Sequence, residues 1–237
     1  MIENTIITED VTLTTLKPKT TKDKFPSPAR MQEQEILVVN DTRDFGFSYY
    51  FPFRPYGKYR GIDISDNPKF VSLNNVRLVV FTGGPDVNPV LYNEPRHPRT
   101  YCAERRDWYE IQIFEKAQEK KIPCFGICRG AQLLCVLSGG KMDQHVQNHS
   151  WSHDIITDDG RIFRANSSHH QVMLPNSNTG KIVAWAEEPN DKVEAEAVEY
   201  PLLNAAGVQY HPEAMNEQEE ALLYARELVE KLLGIGV

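Results

Sequence analysis

No stretch of this 237-residue chain is apolar for the length needed to cross a bilayer, and Met1-Ile2-Glu3-Asn4-Thr5 lacks the basic-then-apolar layout of a secretory leader. A cytoplasmic protein without a membrane partner is expected. Basic runs are missing as well. Lys and Arg number 26 against 33 Asp and Glu, for a net charge of -7, which argues against a nucleic-acid partner bound by phosphate neutralisation. Cysteine is scarce: Cys102, Cys124, Cys128 and Cys135 have no zinc-ligand spacing, and three of them crowd into one strand-helix unit unsuited to a disulfide framework. Reduced thiols are expected. No internal repeat is visible. What remains, 41% apolar and 25% charged residues, is the composition of an ordinary globular protein, and the length suits one α/β domain with a sizeable core.

The most informative stretch runs Lys121-Ile122-Pro123-Cys124-Phe125-Gly126-Ile127-Cys128-Arg129-Gly130-Ala131-Gln132-Leu133-Leu134. A short apolar run passes into a helical pattern with Gly-x-Cys-x-Gly at the joint. An abrupt strand-to-helix turn needs residues without Cβ on both sides, and Gly126 and Gly130 bracket Cys128 in that way. This is a nucleophile elbow with sulfur in place of oxygen. A side chain there sits beside unpaired helical N-H groups and the positive end of the macrodipole, which favour thiolate. Cys124 and Cys135 read as buried small hydrophobes.

Along the chain, residues 1–34 are rich in Thr, Lys and Glu and too poor in apolar residues to build a core. They read as an N-terminal extension, with one domain over 35–237. Glu35 to Asn40 and Val76 to Thr82 read as buried strands, the second ending in Gly83-Gly84-Pro85-Asp86, where a close backbone N-H can act as an oxyanion donor. Between them the aromatics Phe45, Phe47, Tyr49, Tyr50, Phe51, Phe53, Tyr56 and Tyr59 are assigned mainly to packing, with a substrate rim as the other reading. Ala103 to Glu119 and Arg129 to Leu137 read as helices. Strand, helix, strand, helix implies a parallel sheet with ligands at the carboxyl ends of its strands. His145, His149 and His153 fall in a segment read as a loop, without a metal site. Asp158-Asp159-Gly160 reads as a hairpin loop, Ala206 to Tyr210 as the last strand and Met215 to Leu233 as the closing helix.

A thiolate needs a base, and the base needs a partner to fix its tautomer. His211, at a strand's carboxyl end, can reach the same rim as Cys128, and Glu213 can accept the other imidazole N-H.

Together these motifs resemble the class I glutamine amidotransferase superfamily, and within it the gamma-glutamyl hydrolase-like branch, peptidase family C26. The resemblance rests on Phe81-Thr82-Gly83-Gly84-Pro85-Asp86-Val87-Asn88-Pro89 with Tyr92 and Glu94, on Arg106-Asp107 with Glu110, and on the elbow with Gln132. It continues through Gly139-Gly140-Lys141, Asn166-Ser167-Ser168-His169-His170-Gln171, Val193-Glu194-Ala195 and Gly207-Val208-Gln209-Tyr210-His211-Pro212-Glu213. It implies a flavodoxin-like α/β fold whose central, mostly parallel sheet is flanked by helices and carries a small antiparallel accessory sheet. It also implies a Cys128-His211-Glu213 triad and an oxyanion hole from the N-H groups of Gly84 and Arg129. Gln132, Ser168 and His169 match positions lining the glutamyl pocket. No cofactor is implied.

The activity expected is cysteine-dependent hydrolysis of gamma-glutamyl amides through a glutamyl thioester. The hydrolase is favoured because the chain ends after its closing helix without a synthase domain. A glutaminase subunit handing ammonia to a separate synthase is the alternative, and a silent binding module the third reading. A homodimer is compatible with the resemblance. The irregular region before Phe70 departs from the family's opening strand and helix, so substrate selection can differ.

Overall fold

In a computed structural model, which describes residues 33–40, 48–146, 152–188 and 192–235, the apolar runs are strands. Glu35–Val39 (β1), Lys58–Ile62 (β2), Val76–Phe81 (β3), Cys124–Ile127 (β4) and Ala205–Val208 (β11) lie side by side in the order β2-β1-β3-β4-β11, all parallel. Every residue of β3, Val-Arg-Leu-Val-Val-Phe, is buried, as a strand covered on both faces requires.

Its side chains alternate between two cores. Leu78 and Val80 join Ile36 and Val38 against Ala221, Leu222, Ala225 and Val229 of helix Glu220–Leu233, here α3. Val79 and Phe81 join Leu37 and Val39 against Tyr109, Ile113 and Ala117 of Glu104–Glu119 (α1) and Ala131 and Leu134 of Arg129–Leu137 (α2). Each such aliphatic or aromatic side chain contributes roughly 1.5–3 kcal/mol of burial.

The sheet continues past β11 through antiparallel pairings. Lys192–Tyr200 (β10), Lys181–Glu188 (β9), His153–Thr157 (β6) and Ile162–Ala165 (β7) follow in that order, while Val172–Leu174 (β8) pairs with both β10 and Lys141–Asp143 (β5). The parallel sheet flanked by helices and the antiparallel accessory strands are thus both present, joined among the described residues into one eleven-stranded sheet with β2 and β7 at its ends.

Some boundaries differ from the sequence reading. The last strand stops at Val208, leaving Gln209 and Tyr210 in a bend. The closing helix begins at Glu220 because Pro212–Ala214 forms a 3-10 turn and Asn216 closes a turn of its own, donating from its N-H (3.0 Å) and Nδ2 (2.7 Å) to the Glu219 carboxylate. Asp158-Asp159-Gly160 does connect β6 to β7, with Gly160 at φ +85°. Among the aromatics, Phe53 packs edge-on against Phe125 at 5.5 Å and Tyr56 is buried, while the half-buried Tyr49 packs against the same core and also reaches the site described below.

Residues 1–32 of the expected extension, Phe45 and Phe47, and His149 lie outside the described residues. Among the described residues no helix is long and apolar enough to cross a membrane.

Candidate active site

Strands β3, β4 and β11 are neighbours in the sheet, so the residues leaving their carboxyl ends meet at one rim. Cys128 follows β4 directly and caps α2 with φ 50° and ψ -109°, a conformation a side chain seldom adopts. The glycines make that turn possible. A Cβ at Gly126 would overlap the backbone of Gly130 and Ala131, one at Gly130 would overlap the Phe81 carbonyl, and one at Gly207 would come within 2.7 Å of the Ala131 Cβ. Helix α2 therefore starts almost in contact with β3 and β11, and the elbow predicted from Gly-x-Cys-x-Gly is the structure found.

His211 follows β11. Its imidazole hydrogen-bonds Cys128 on one side, and on the other Nδ1 lies 2.7 Å from Glu213 Oε1. The backbone of His211 is clamped by one side chain, since its N-H donates to Asn166 Oδ1 (2.8 Å) and its carbonyl accepts from Asn166 Nδ2 (3.0 Å). Burial alone would depress the imidazole, but the negative sulfur of Cys128, its hydrogen bond and the Glu213 carboxylate outweigh that and raise the pKa from 6.5 to about 11. By contrast burial pushes the Cys124 and Cys135 thiols up to about 12, which makes both inert, as the sequence reading had them.

Gly84, Cys128, Gln132, Ser168 and His169 line one cavity of about 240 Å³. Gln132 Nε2 donates to Gln209 Oε1 (3.2 Å), and Gln209 Nε2 in turn reaches Cys128 Sγ at 3.6 Å. The His169 Nδ1 hydrogen-bonds the Gln171 carbonyl at 3.0 Å, and its Nε2 lies 3.6 Å from Glu196 Oε1. Glu196 is fully buried; burial would raise its pKa, yet hydrogen bonds from His153 and His169 bring it below 4.5. Gly84, at φ +145°, lines the cavity, and Arg129 follows Cys128 as the first residue of α2. Its guanidinium turns into the protein, paired with Asp107 and Glu110. Burial, then repulsion from Arg106, lowers the Arg129 pKa to about 9 despite those carboxylates.

All eight residues singled out from sequence thus lie at one end of the sheet, six of them on the cavity or in hydrogen-bond contact with Cys128. The sequence reading gave three further residues here no individual role in the site. Gln209 bridges Gln132 to the sulfur, Asn166 fixes the His211 backbone, and Tyr49 places its hydroxyl by Gly83, where a Cβ would come within 2.6 Å of it and 3.1 Å of His211 Cε1. Burial, followed by the charges of Glu213 and Cys128, raises the Tyr49 pKa. Gln209 and Asn166 had a signal, since both stand inside quoted motifs, and Tyr49 is one of the aromatics for which a substrate rim was the second reading. Among the described residues no group of His, Cys, Asp or Glu could hold a metal; His145 stacks on His97 at 5.3 Å, whereas His153 belongs to Glu196.

The peptidase C26 family profile matches residues 70–213. The chain belongs to the peptidase C26 family. This C26 protein is 30% identical over 180 residues to the putative glutamine amidotransferase-like protein YvdE of Lactococcus lactis, covering 67% of this chain and 74% of that one. It is 28% identical over 154 residues to one of the subunits of the glutamine-hydrolysing GMP synthase of Ignicoccus hospitalis, covering 62% and 71%. A crystal structure of a glutamine amidotransferase from Thermotoga maritima superposes with a TM-score of 0.62 at 19% identity, over 84% of this chain and 98% of that one. That likeness fixes the fold as the class I glutamine amidotransferase fold. Family and relatives together put the C26 protein among the C-N hydrolases of the glutamine amidotransferase type.

Proposed function

We propose that the protein hydrolyses gamma-glutamyl amide bonds by covalent catalysis at Cys128. The Cys128 thiolate attacks the side-chain carbonyl carbon of the glutamyl group, and the oxyanion forms against the N-H groups of Gly84 and Arg129. His211 protonates the leaving nitrogen as the C-N bond breaks, with Glu213 holding its Nδ1-H and thus its orientation. Water, deprotonated by the same histidine, then attacks the thioester and releases glutamate. Gln132, Ser168 and His169 hold the glutamyl group. No step calls for a cofactor.

The observation that carries this reading is the chain of contacts Cys128-His211-Glu213, with Cys128 lining a cavity. The test is glutamate release from a panel of gamma-glutamyl amides, with a thioester trapped by acid quench. Cys128→Ala should abolish both; full turnover in that variant would eliminate the mechanism.

A second reading, a glutaminase subunit passing ammonia to a separate synthase, is supported by the likeness to the GMP synthase component. It requires glutamine hydrolysis that rises sharply only when a synthase is added, and the panel assay without any partner distinguishes the two. Residues 35–237 are read as the catalytic domain and residues 1–34 as an extension to it.

A further inference from the structure

The two proposed oxyanion donors belong to loops held by one buried ion cluster. Arg106 of α1 donates from Nη2 to the carbonyls of Thr82 (3.1 Å) and Gly83 (2.8 Å) and to the Thr82 hydroxyl (3.0 Å), and from Nε to Glu110 Oε1 (2.8 Å). The other Glu110 oxygen takes Arg129 Nη1, and Asp107 takes Arg129 Nη2 while accepting the Asn88 N-H at 3.2 Å. Arg129 Nε reaches the Pro85 carbonyl at 3.1 Å, on the far side of Gly84. Two buried arginines thus grip the segment from Thr82 to Pro85 at both ends.

A trans peptide is planar, so its C=O and N-H point in opposite directions, and the described residues contain no cis bond. With the Gly83 carbonyl held by Arg106, the Gly84 N-H of the same peptide points away from that guanidinium, and Gly84 itself lines the cavity together with Cys128. Two successive glycines give that peptide little steric resistance to turning over. Turned over, it would aim a carbonyl oxygen at the developing negative charge.

We propose that Arg106 is a positioning residue that locks the Gly83-Gly84 peptide with its N-H turned toward the reacting carbonyl. The inference rests on the acyl-transfer reading above and names what keeps its oxyanion hole formed when no partner is bound. A Cβ at Gly84 would collide with the Arg106 guanidinium, so the lock fits only a glycine.

Two variants test it. Arg106→Gln removes both the charge and the planar fork, whereas Arg106→Lys keeps a charge without the fork. Glutamate release and alkylation of Cys128 by iodoacetamide are followed across pH for both variants and the parent. Alkylation needs the sulfur but no oxyanion; turnover needs both. Loss of a cation near Cys128 moves the midpoint of either profile, while a turned peptide lowers only the turnover plateau. In Arg106→Gln the plateau kcat should fall about 100-fold, the effect of losing one oxyanion donor, with KM nearly unchanged. The alkylation plateau should hold.

Arg106→Lys should recover the midpoint but not the plateau, and its crystal structure should contain the Gly83 carbonyl rotated toward the cavity. A plateau kcat close to the parent's in a folded variant, an alkylation plateau that falls as far as turnover, or an unmoved peptide in the crystal would each overturn the inference. A parent protein releasing no glutamate would instead defeat the acyl-transfer reading, and the peptide orientation would still decide the role of Arg106.

Discussion

At the scale of single residues, the decisive group is His211, whose acidity is set by what touches it. Its folded pKa of about 11 lies above the ordinary 6.5, so its contribution to stability is fully present below about pH 6.5 and is lost as pH rises through about 11. Cys128→Ala removes the first of the groups that raise it. Urea midpoints measured from pH 6 to 11 should therefore decline less steeply in Cys128→Ala than in the parent; parallel curves would contradict the ion pair. Glu213→Gln leaves the imidazole without its carboxylate, and kcat should drop on the order of 100-fold or more with the thioester still detectable. An unchanged kcat would mean that Glu213 does not orient the base.

Among secondary-structure elements, the elbow concentrates the tightest packing. Gly130→Ala would drive a methyl group into the Phe81 carbonyl, a backbone atom that cannot step aside, and should lower the unfolding free energy by about 3 kcal/mol. Denaturant titration checks this, and a loss below ~1 kcal/mol would mean that α2 can slide on β3. This joint was legible in the sequence because it is local: strand, glycine, cysteine, glycine and helix stand within one stretch. The parallel strands were legible for a related reason, since burial on both faces leaves a continuous apolar run such as Val76 to Phe81. Other features were not. The late start of α3 depends on Asn216 capturing the Glu219 carboxylate, a local hydrogen bond that competes with the first helical turn. The contacts of Tyr49, Gln209 and Asn166 span long separations in the chain, and no periodicity encodes which loop will fold over which strand end.

On the scale of the whole molecule, the antiparallel strands do more than widen the sheet. Glu196 on β10 joins His153 on β6 to His169 at the cavity, so the accessory strands and the pocket share one buried charge. Its lowered pKa makes the sign definite: the stability it contributes is present above the ordinary value of 4.5 and is lost as pH falls through the depressed folded value. Glu196→Gln should flatten the acid limb of a stability-pH curve below about pH 4.5, and an acid limb identical to the parent's would show that the two histidines do not depend on it. Because the sheet runs unbroken from β2 to β7, these two strands are its borders among the described residues. Lys58 and Arg60 stand on one, Arg60 paired with Glu35, and Arg164 stands on the other, paired with Asp154. Charged side chains on an outer strand, paired or not, must be stripped of water before a second copy can extend the hydrogen-bond ladder, and that cost sets both borders against edge-to-edge growth.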